Sequence, residues 1–316
     1  MQPNETDIEE SKGFDPNSTS GTFIVAVVLC LVCAVAVSLA AVGLRDLQDR
    51  NAKNKMMRNV LIAAGIWDDT KHTDADIPTL FENIDTRLWN LPADGKPNGS
   101  FNTELSLDSY NQEDAASTPA GSIEIAADAD VAGIKRREKV SRVYFVKDDA
   151  GKVTSIILPI KGKGLWSTLY GFLAVDATTR ESRGITFYKH GETPGLGGEV
   201  DNPKWKQKWR GGDSSLLLRG DDGKVSLDVV KPGNASTASQ IDGLSGATIT
   251  SNGVENTIHY WLGPDAFGPF LDEFASGKLD VASADNPPAA KESETPEGES
   301  SPAAEGDSAG DGNSAS

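Results

Sequence analysis

The chain of 316 residues carries a formal net charge of -17, with 47 acidic side chains against 30 basic ones. That balance argues against nucleic acid as a partner, because phosphate neutralisation needs clustered Lys and Arg. The three histidines, His72, His190 and His259, are scattered, and both cysteines fall in one apolar run. The histidines lack an i, i+4 pair, and the C-x-x-C of Cys30 and Cys33, a spacing that a redox or metal pair could use, reads better as part of the apolar helix, so any redox chemistry here calls for an organic cofactor.

Residues 1–20 are polar and acidic and read as a disordered leader. Thr22 to Leu44 then runs T-F-I-V-A-V-V-L-C-L-V-C-A-V-A-V-S-L-A-A-V-G-L without a charge. An apolar run of about 20 residues spans a bilayer as a helix. A cleaved signal peptide is the competing reading, since Ser38-Leu39-Ala40 resembles a small-residue cleavage site. The run is long for that purpose and the leader before it is acidic, which favours a retained anchor. Cys30 and Cys33 suit a lipid-facing helix as small, weakly polar residues better than they suit a redox pair. The anchor contains no acidic residue and offers no ion site of its own within the bilayer. Arg45, Arg50, Lys53, Lys55 and Arg58 follow it and only Lys12 precedes it. Charge alone would therefore place the C-terminal part in the cytoplasm.

Asn51 to Gly65 predicts a helix leaving the membrane, closed by the glycine. Residues 95–120 are rich in Pro, Gly, Asn and Ser and read as a loop or insertion. From Val140 the period changes to that of strands, over Val140–Val146, Val153–Pro159, Leu169–Val175 and Gly184–Tyr188. Turn signals such as Asp148-Asp149-Ala150-Gly151 separate them. A helix over Asn252–Leu262 follows, so the fold class expected is α+β, with an antiparallel sheet and packed helices. The expected division is a leader (1–20), a transmembrane helix (22–44), a membrane-proximal helix and insertion region (45–138), a folded domain (139–277) and an acidic tail (278–316). The tail, rich in Ser, Glu, Ala, Gly and Asp, cannot bury a core and reads as disordered.

Three stretches have the composition of a binding site. The first is Asp242-Gly243-Leu244-Ser245-Gly246-Ala247-Thr248, followed by Ile249-Thr250-Ser251. Asn252 can cap a helix with Glu255 as its capping-box partner, and Val254, Ile258 and Trp261 recur on one face. That start would put Thr248, Thr250 and Ser251 just ahead of a helix N-terminus, where N–H groups and the dipole favour an anion such as phosphate. A hydroxyl-rich turn with no ligand reads equally well. The second stretch is H-G-E-T-P-G-L-G-G-E-V, His190 to Val200, a tight glycine loop without dinucleotide-binding spacing. The third is G-K-G-L-W-S-T-L-Y-G-F-L-A-V, Gly162 to Val175. Its Trp166 and Tyr170 either stack on a ring system or serve as core aromatics.

Taken together, and in this chain order behind one N-terminal membrane helix, the three stretches resemble the FMN-binding domain of the C subunit of the sodium-translocating NADH:quinone oxidoreductase. The likeness covers about residues 22 to 270. It implies that FMN is attached covalently by a phosphoester to the last hydroxyl of D-x-x-[ST]-G-A-[ST], here Thr248. Asp242, Ser245, Gly246 and Ala247 are the rest of that motif. It further implies attachment by a separate flavin transferase that uses FAD and releases AMP. That need is physical, since a threonine hydroxyl is a poor nucleophile without an external base and metal. By position, Glu192, Thr193, Leu196 and Gly197 are candidates to contact the isoalloxazine or ribityl chain, and Trp166 is a further one. No residue takes a catalytic role and no metal site is expected. The chain is then an electron carrier inside a sodium pump of the bacterial inner membrane, lacking the NADH and quinone sites, with other subunits as partners. The family places the flavin domain on the periplasmic side, against the charge rule. Two alternatives are the matching subunit of an Rnf-type ferredoxin:NAD oxidoreductase and a flavin-free, membrane-tethered interaction protein.

Overall fold

A computed structural model describes residues 16, 18–93, 99–211, 215–279 and 281. The leader up to residue 15 and the tail from residue 282 lie outside the described residues. The first half of the chain forms α1 (Thr19–Ala63), α2 (Ile77–Phe81), β1 (Ile84–Asn90), β2 (Ser100–Phe101), α3 (Gln112–Ser117), β3 (Ser122–Glu124), β4 (Arg136–Glu138) and β5 (Val140–Lys147). The second half forms β6 (Val153–Lys163), β7 (Thr168–Asp176), β8 (Ser182–Lys189), α4 (Pro203–Lys208), β9 (Asp228–Val230), β10 (Gln240–Asp242), α5 (Thr248–Trp261) and α6 (Gly268–Ala275).

The two helices expected over 22–44 and 51–65 are one. Helix α1 runs unbroken for 45 residues, about 68 Å at 1.5 Å per residue, roughly twice the hydrocarbon thickness of a bilayer. No Pro interrupts it, and Gly65, at φ +74°, lies just past its end. Its apolar first half is exposed along its length, as a lipid-facing segment must be. Its last two turns belong to the folded domain. Val60, Leu61 and Ala63 are buried with Tyr144, Ile157, Phe172 and Ala174 of the sheet. The Thr186 hydroxyl donates to Asn59 Oδ1 at 2.9 Å inside this contact, and Arg210 donates to the Ile62 carbonyl at 3.0 Å.

The sheet has six strands in the order β2-β1-β5-β6-β7-β8, and every neighbouring pair is antiparallel. Alternation along the strands divides the core into two faces. Val143, Phe145, Ile156, Leu158, Leu173, Val175 and Ile185 face the larger core with Val254, Ile258 and Trp261 of α5 and Phe267 and Phe270. Tyr144, Ile157, Phe172 and Ala174 face the end of α1 on the other side. The expected α+β class and the four expected strands are observed.

One strand without a sequence assignment appears, and two local expectations are corrected. Strand β1 joins the sheet beside β5, although its sequence, I-D-T-R-L-W-N, carries charges mid-strand. Those charges pair on the strand surface, with Arg87 Nε and Lys147 Nζ each 2.9 Å from the Asp85 carboxylate. Residues 99–120 are not a free loop. They contain β2 and α3, and Tyr110 donates to the Val140 carbonyl at 2.6 Å while Arg142 donates to the carbonyls of Leu107 and Tyr110. Polar tertiary hydrogen bonds hold this stretch down, which is why it lacks an apolar signature. Finally, α5 starts at Thr248 and not at Asn252. Asn252 is exposed within the helix, and Glu255 Oε2 accepts from the Val229 N–H at 2.9 Å instead of closing a capping box. Gly253 sits where α5 presses on the end of β6, since a Cβ there would lie 2.3 Å from the Lys163 carbonyl.

Candidate functional site

The turn between β6 and β7, the loop after β8 and the first turn of α5 converge on one side chain. Glu192 is 6% exposed. Its Oε1 accepts from the N–H groups of Trp166 at 2.9 Å and Ser167 at 3.0 Å. Its Oε2 accepts from the Leu165 N–H at 3.2 Å and the Thr250 hydroxyl at 2.7 Å. The glycines around it make room for this carboxylate. A Cβ on Gly197 would lie 2.6 Å from both Glu192 Oε2 and Thr250 Oγ1, and one on Gly164 would lie 2.6 Å from Oε1. The second loop is fastened further by His190, whose Nε2 is 2.8 Å from Asp201 Oδ2 and whose Nδ1 accepts from the Glu192 N–H. Ser167 Oγ accepts from the Gly191 N–H at 2.7 Å. Burial alone would raise the Glu192 pKa, but the Thr250 hydroxyl and the N–H groups of Trp166, Ser167 and Leu165 outweigh it and hold it below the usual value of 4.5.

Helix α5 begins in an unusual way. Its N-cap is Ala247, which has no side-chain acceptor to offer the first-turn N–H groups. The first intrahelical bond runs from the Ser251 N–H to the Ala247 carbonyl. The N–H groups of Thr248, Ile249 and Thr250 therefore have no protein acceptor among the described residues. The hydroxyls divide cleanly. Thr250 is bound to Glu192, and Ser251 Oγ bridges the Leu244 N–H and the Ala247 carbonyl, both side chains being buried. Thr248 is exposed at the head of the helix, and Ser245 is exposed in the turn before it.

An apolar rim surrounds this helix start. Outside α1, the exposed large apolar residues among those described are six, and four belong to these segments: Leu165 (43%), Trp166 (67%), Leu196 (46%) and Ile249 (59%). Gly246, at φ +71°, lies against Leu196, whose Cδ2 would be 3.3 Å from an added Cβ. A cluster of this kind on an otherwise polar surface marks a binding surface. Neither the Thr250 clasp nor the apolar character of Leu165 and Ile249 at the rim was foreseen from sequence. Both depend on how the three segments fold together.

The remaining expected residues fall in different places. Thr193 is exposed, and its carbonyl accepts from the N–H groups of Leu196 and Gly198, shaping the loop. Asp242 Oδ1 accepts from the N–H groups of Gly233, Asn234 and Ala235, and Oδ2 is 2.9 Å from Lys208 Nζ. The lysine first, with these donors, holds the Asp242 pKa below its usual value. It secures the strand that leads into the motif. Tyr170 does not join the rim. It lies near Tyr188 with Lys189 Nζ 4.9 Å above its ring. Among the described residues no group of three or more His, Cys, Asp or Glu is placed to hold a metal.

Residues 164–263 match the family model described as FMN-binding domain, a span that opens at the Gly164 turn and closes just after α5. Across nearly the whole chain the likeness is more specific. The chain is 40% identical over 268 residues to the C subunit of the Na(+)-translocating NADH-quinone reductase of Yersinia pestis, covering 83% of this chain and 96% of that one. It is 42% identical over 266 residues to its counterpart in Pseudomonas aeruginosa, covering 83% and 98%. The chain belongs to the NqrC family, the C subunits of the Na(+)-translocating NADH-quinone reductases. The fold agrees, since the crystal structure of Shewanella oneidensis NqrC superposes with a TM-score of 0.62 at 31% identity, covering 71% of this chain and 99% of that one. Membership of this family displaces the Rnf-type alternative. It makes the chain a subunit of an oxidoreductase complex with an FMN-binding domain, carried behind one helix long and apolar enough to cross a membrane.

The Glu192 clasp has a pH signature. Its folded-state pKa lies below its usual value of 4.5, so its contribution to stability is present above that value and is lost as pH falls through the folded pKa. In an acid titration followed by NMR, the amide resonances of Leu165, Trp166 and Ser167 should move together, with a midpoint below 4.5. A midpoint above it would show that the carboxylate is not held by these donors.

Proposed function

We propose that this chain carries FMN as a phosphoester on Thr248 and passes electrons within a sodium-translocating NADH:quinone oxidoreductase. The observation that carries the reading is the exposed Thr248 at a helix start whose cap is alanine and whose first three N–H groups lack acceptors among the described residues. A phosphodiester keeps one negative charge, and such a helix start favours an anion through free N–H groups and the dipole. The residues present also fit the ring, because Leu165, Trp166, Leu196 and Ile249 offer apolar surface to a planar aromatic group.

When bound, FMN supplies the electron-transfer chemistry, and the protein supplies position and electrostatics. Thr248 Oγ forms the bond to phosphorus in maturation. The pyrophosphate bond of FAD breaks, AMP leaves, and the hydroxyl proton passes to a base outside this chain. Glu192, the carboxylate joined to the first turn of α5, is not free to act as that base, since it is committed to Thr250 and three N–H groups. A separate flavin transferase is therefore the fitting agent. A covalent link also suits a rim this open, where a dissociable flavin would be lost to solvent. The other members of the complex are the partners. The domain is assigned to the periplasmic side, where the transferase works in this family, against the basic run Arg45–Arg58.

Full-length protein from cells that also make the transferase should give a fluorescent flavin band that survives SDS, and Thr248→Ala should abolish it. A dark parent band would favour the flavin-free interaction protein instead. Protease added to spheroplasts should degrade the domain while the anchor persists. Full protection until the cells are lysed would place the domain in the cytoplasm.

A further inference from the structure

Glu192 does more than hold loops together. Buried carboxylates are usually neutralised by a cation, because an isolated buried charge is costly. Among the described residues Glu192 forms no ion pair, and its compensation comes entirely from N–H and O–H dipoles. The basic side chains of the flanking segments make their contacts elsewhere. The His190 ring meets the Glu192 backbone N–H and Asp201, and Lys163 Nζ lies 3.3 Å from the Trp166 carbonyl. A full negative charge thus sits directly beneath the exposed Leu165–Trp166 turn. It is one hydrogen bond from Thr250, which shares the first turn of α5 with Thr248.

We propose that Glu192 is the positioning residue of this seat, and that its carboxylate charge lowers the midpoint potential of a flavin held on Thr248. The inference rests on the reading of Thr248 given above. Its physical basis is Coulombic. Adding an electron beside an existing negative charge is disfavoured, and because Glu192 is itself buried its charge is screened less by water than that of a surface carboxylate. Donor dipoles weaken the field of the carboxylate without cancelling it. The same hydrogen bonds fix the apolar turn and the helix start relative to each other, so one side chain sets both the shape and the field of the seat.

The test uses the full-length chain in detergent, loaded by the transferase, with spectroelectrochemical titration of the flavin. Glu192→Gln, which removes the charge at nearly constant shape, should move the midpoint to a more positive potential. Glu192→Asp, which keeps the charge, should leave it close to that of the parent. A loaded Gln variant with an unchanged or more negative midpoint overturns the proposal. Should the Gln variant fail to load, Thr250→Val keeps the carboxylate and strips one of its donors. Its midpoint should move negative, and no shift or a positive one overturns the proposal. Positioning is read separately in the flavin-free Thr248→Ala chain. There Glu192→Gln should speed amide exchange at Leu165, Trp166 and Ser167 by about tenfold, and unchanged exchange removes the positioning role. A parent chain that carries no flavin would contradict the Thr248 reading itself, which keeps the two failures apart.

Discussion

A buried carboxylate without a cation must gather its compensation from hydrogen-bond donors, and Glu192 gathers it from two other segments of the chain. The β6–β7 turn gives three N–H groups and α5 gives the Thr250 hydroxyl, while the loop after β8 supplies the acid itself. Each segment alone is short, glycine-rich and poorly able to fix its own shape. Joined at one point, they hold Thr248, Trp166 and Leu196 in a single arrangement. The glycines at 164 and 197 then have a definite reason, since a side chain at either would occupy the space of the carboxylate.

The scaffold beneath this junction is stiff. The antiparallel strands β6 to β8 deliver the turn and the loop from adjacent positions in the sheet, and α5 packs across the same sheet through Val254, Ile258 and Trp261. The Trp261 indole N–H also donates to the Lys161 carbonyl at 2.7 Å, pinning the far end of the helix. On the opposite face the last turns of α1 are buried against Tyr144 and Phe172. A helix with no break between its apolar half and this packed end transmits the position of the anchor to the domain. The apolar half is thereby joined to the folded domain through continuous helix and not through a loop.

Much of this architecture was legible in the sequence, for reasons that can be named. The central strands alternate Val, Ile, Phe and Leu on two buried faces, and the anchor is an uninterrupted apolar run; both are local signals. Strand β1 was hidden because its mid-strand charges pair with neighbours that sequence does not reveal. The stretch around α3 was hidden because hydrogen bonds from Tyr110, Gln112 and Arg142 hold it in place of apolar burial. The start of α5 was misplaced by a plausible capping box at Asn252. The true start, at an alanine cap, breaks the local rule and is fixed by Ser251 and Thr250 through tertiary contacts. Local rules tend to fail at functional positions, and this failure falls on the residue that the motif singles out. Of the residues named from sequence, Thr248, Leu196 and Trp166 lie exposed on the three segments that form the rim, and Gly197 is buried beneath them. Glu192 lies below it as a clasp, and Asp242 braces the strand behind it.

The central claim is chemical identity at one hydroxyl, and peptide mapping by tandem mass spectrometry reads that identity directly. Digestion of the protein made with its transferase should yield a peptide containing Ile241 to Trp261, heavier by the mass of FMN less one water, with fragment ions placing the addition on Thr248. An adduct located on Ser245, Thr250 or Ser251, or an unmodified peptide alone, would contradict the account.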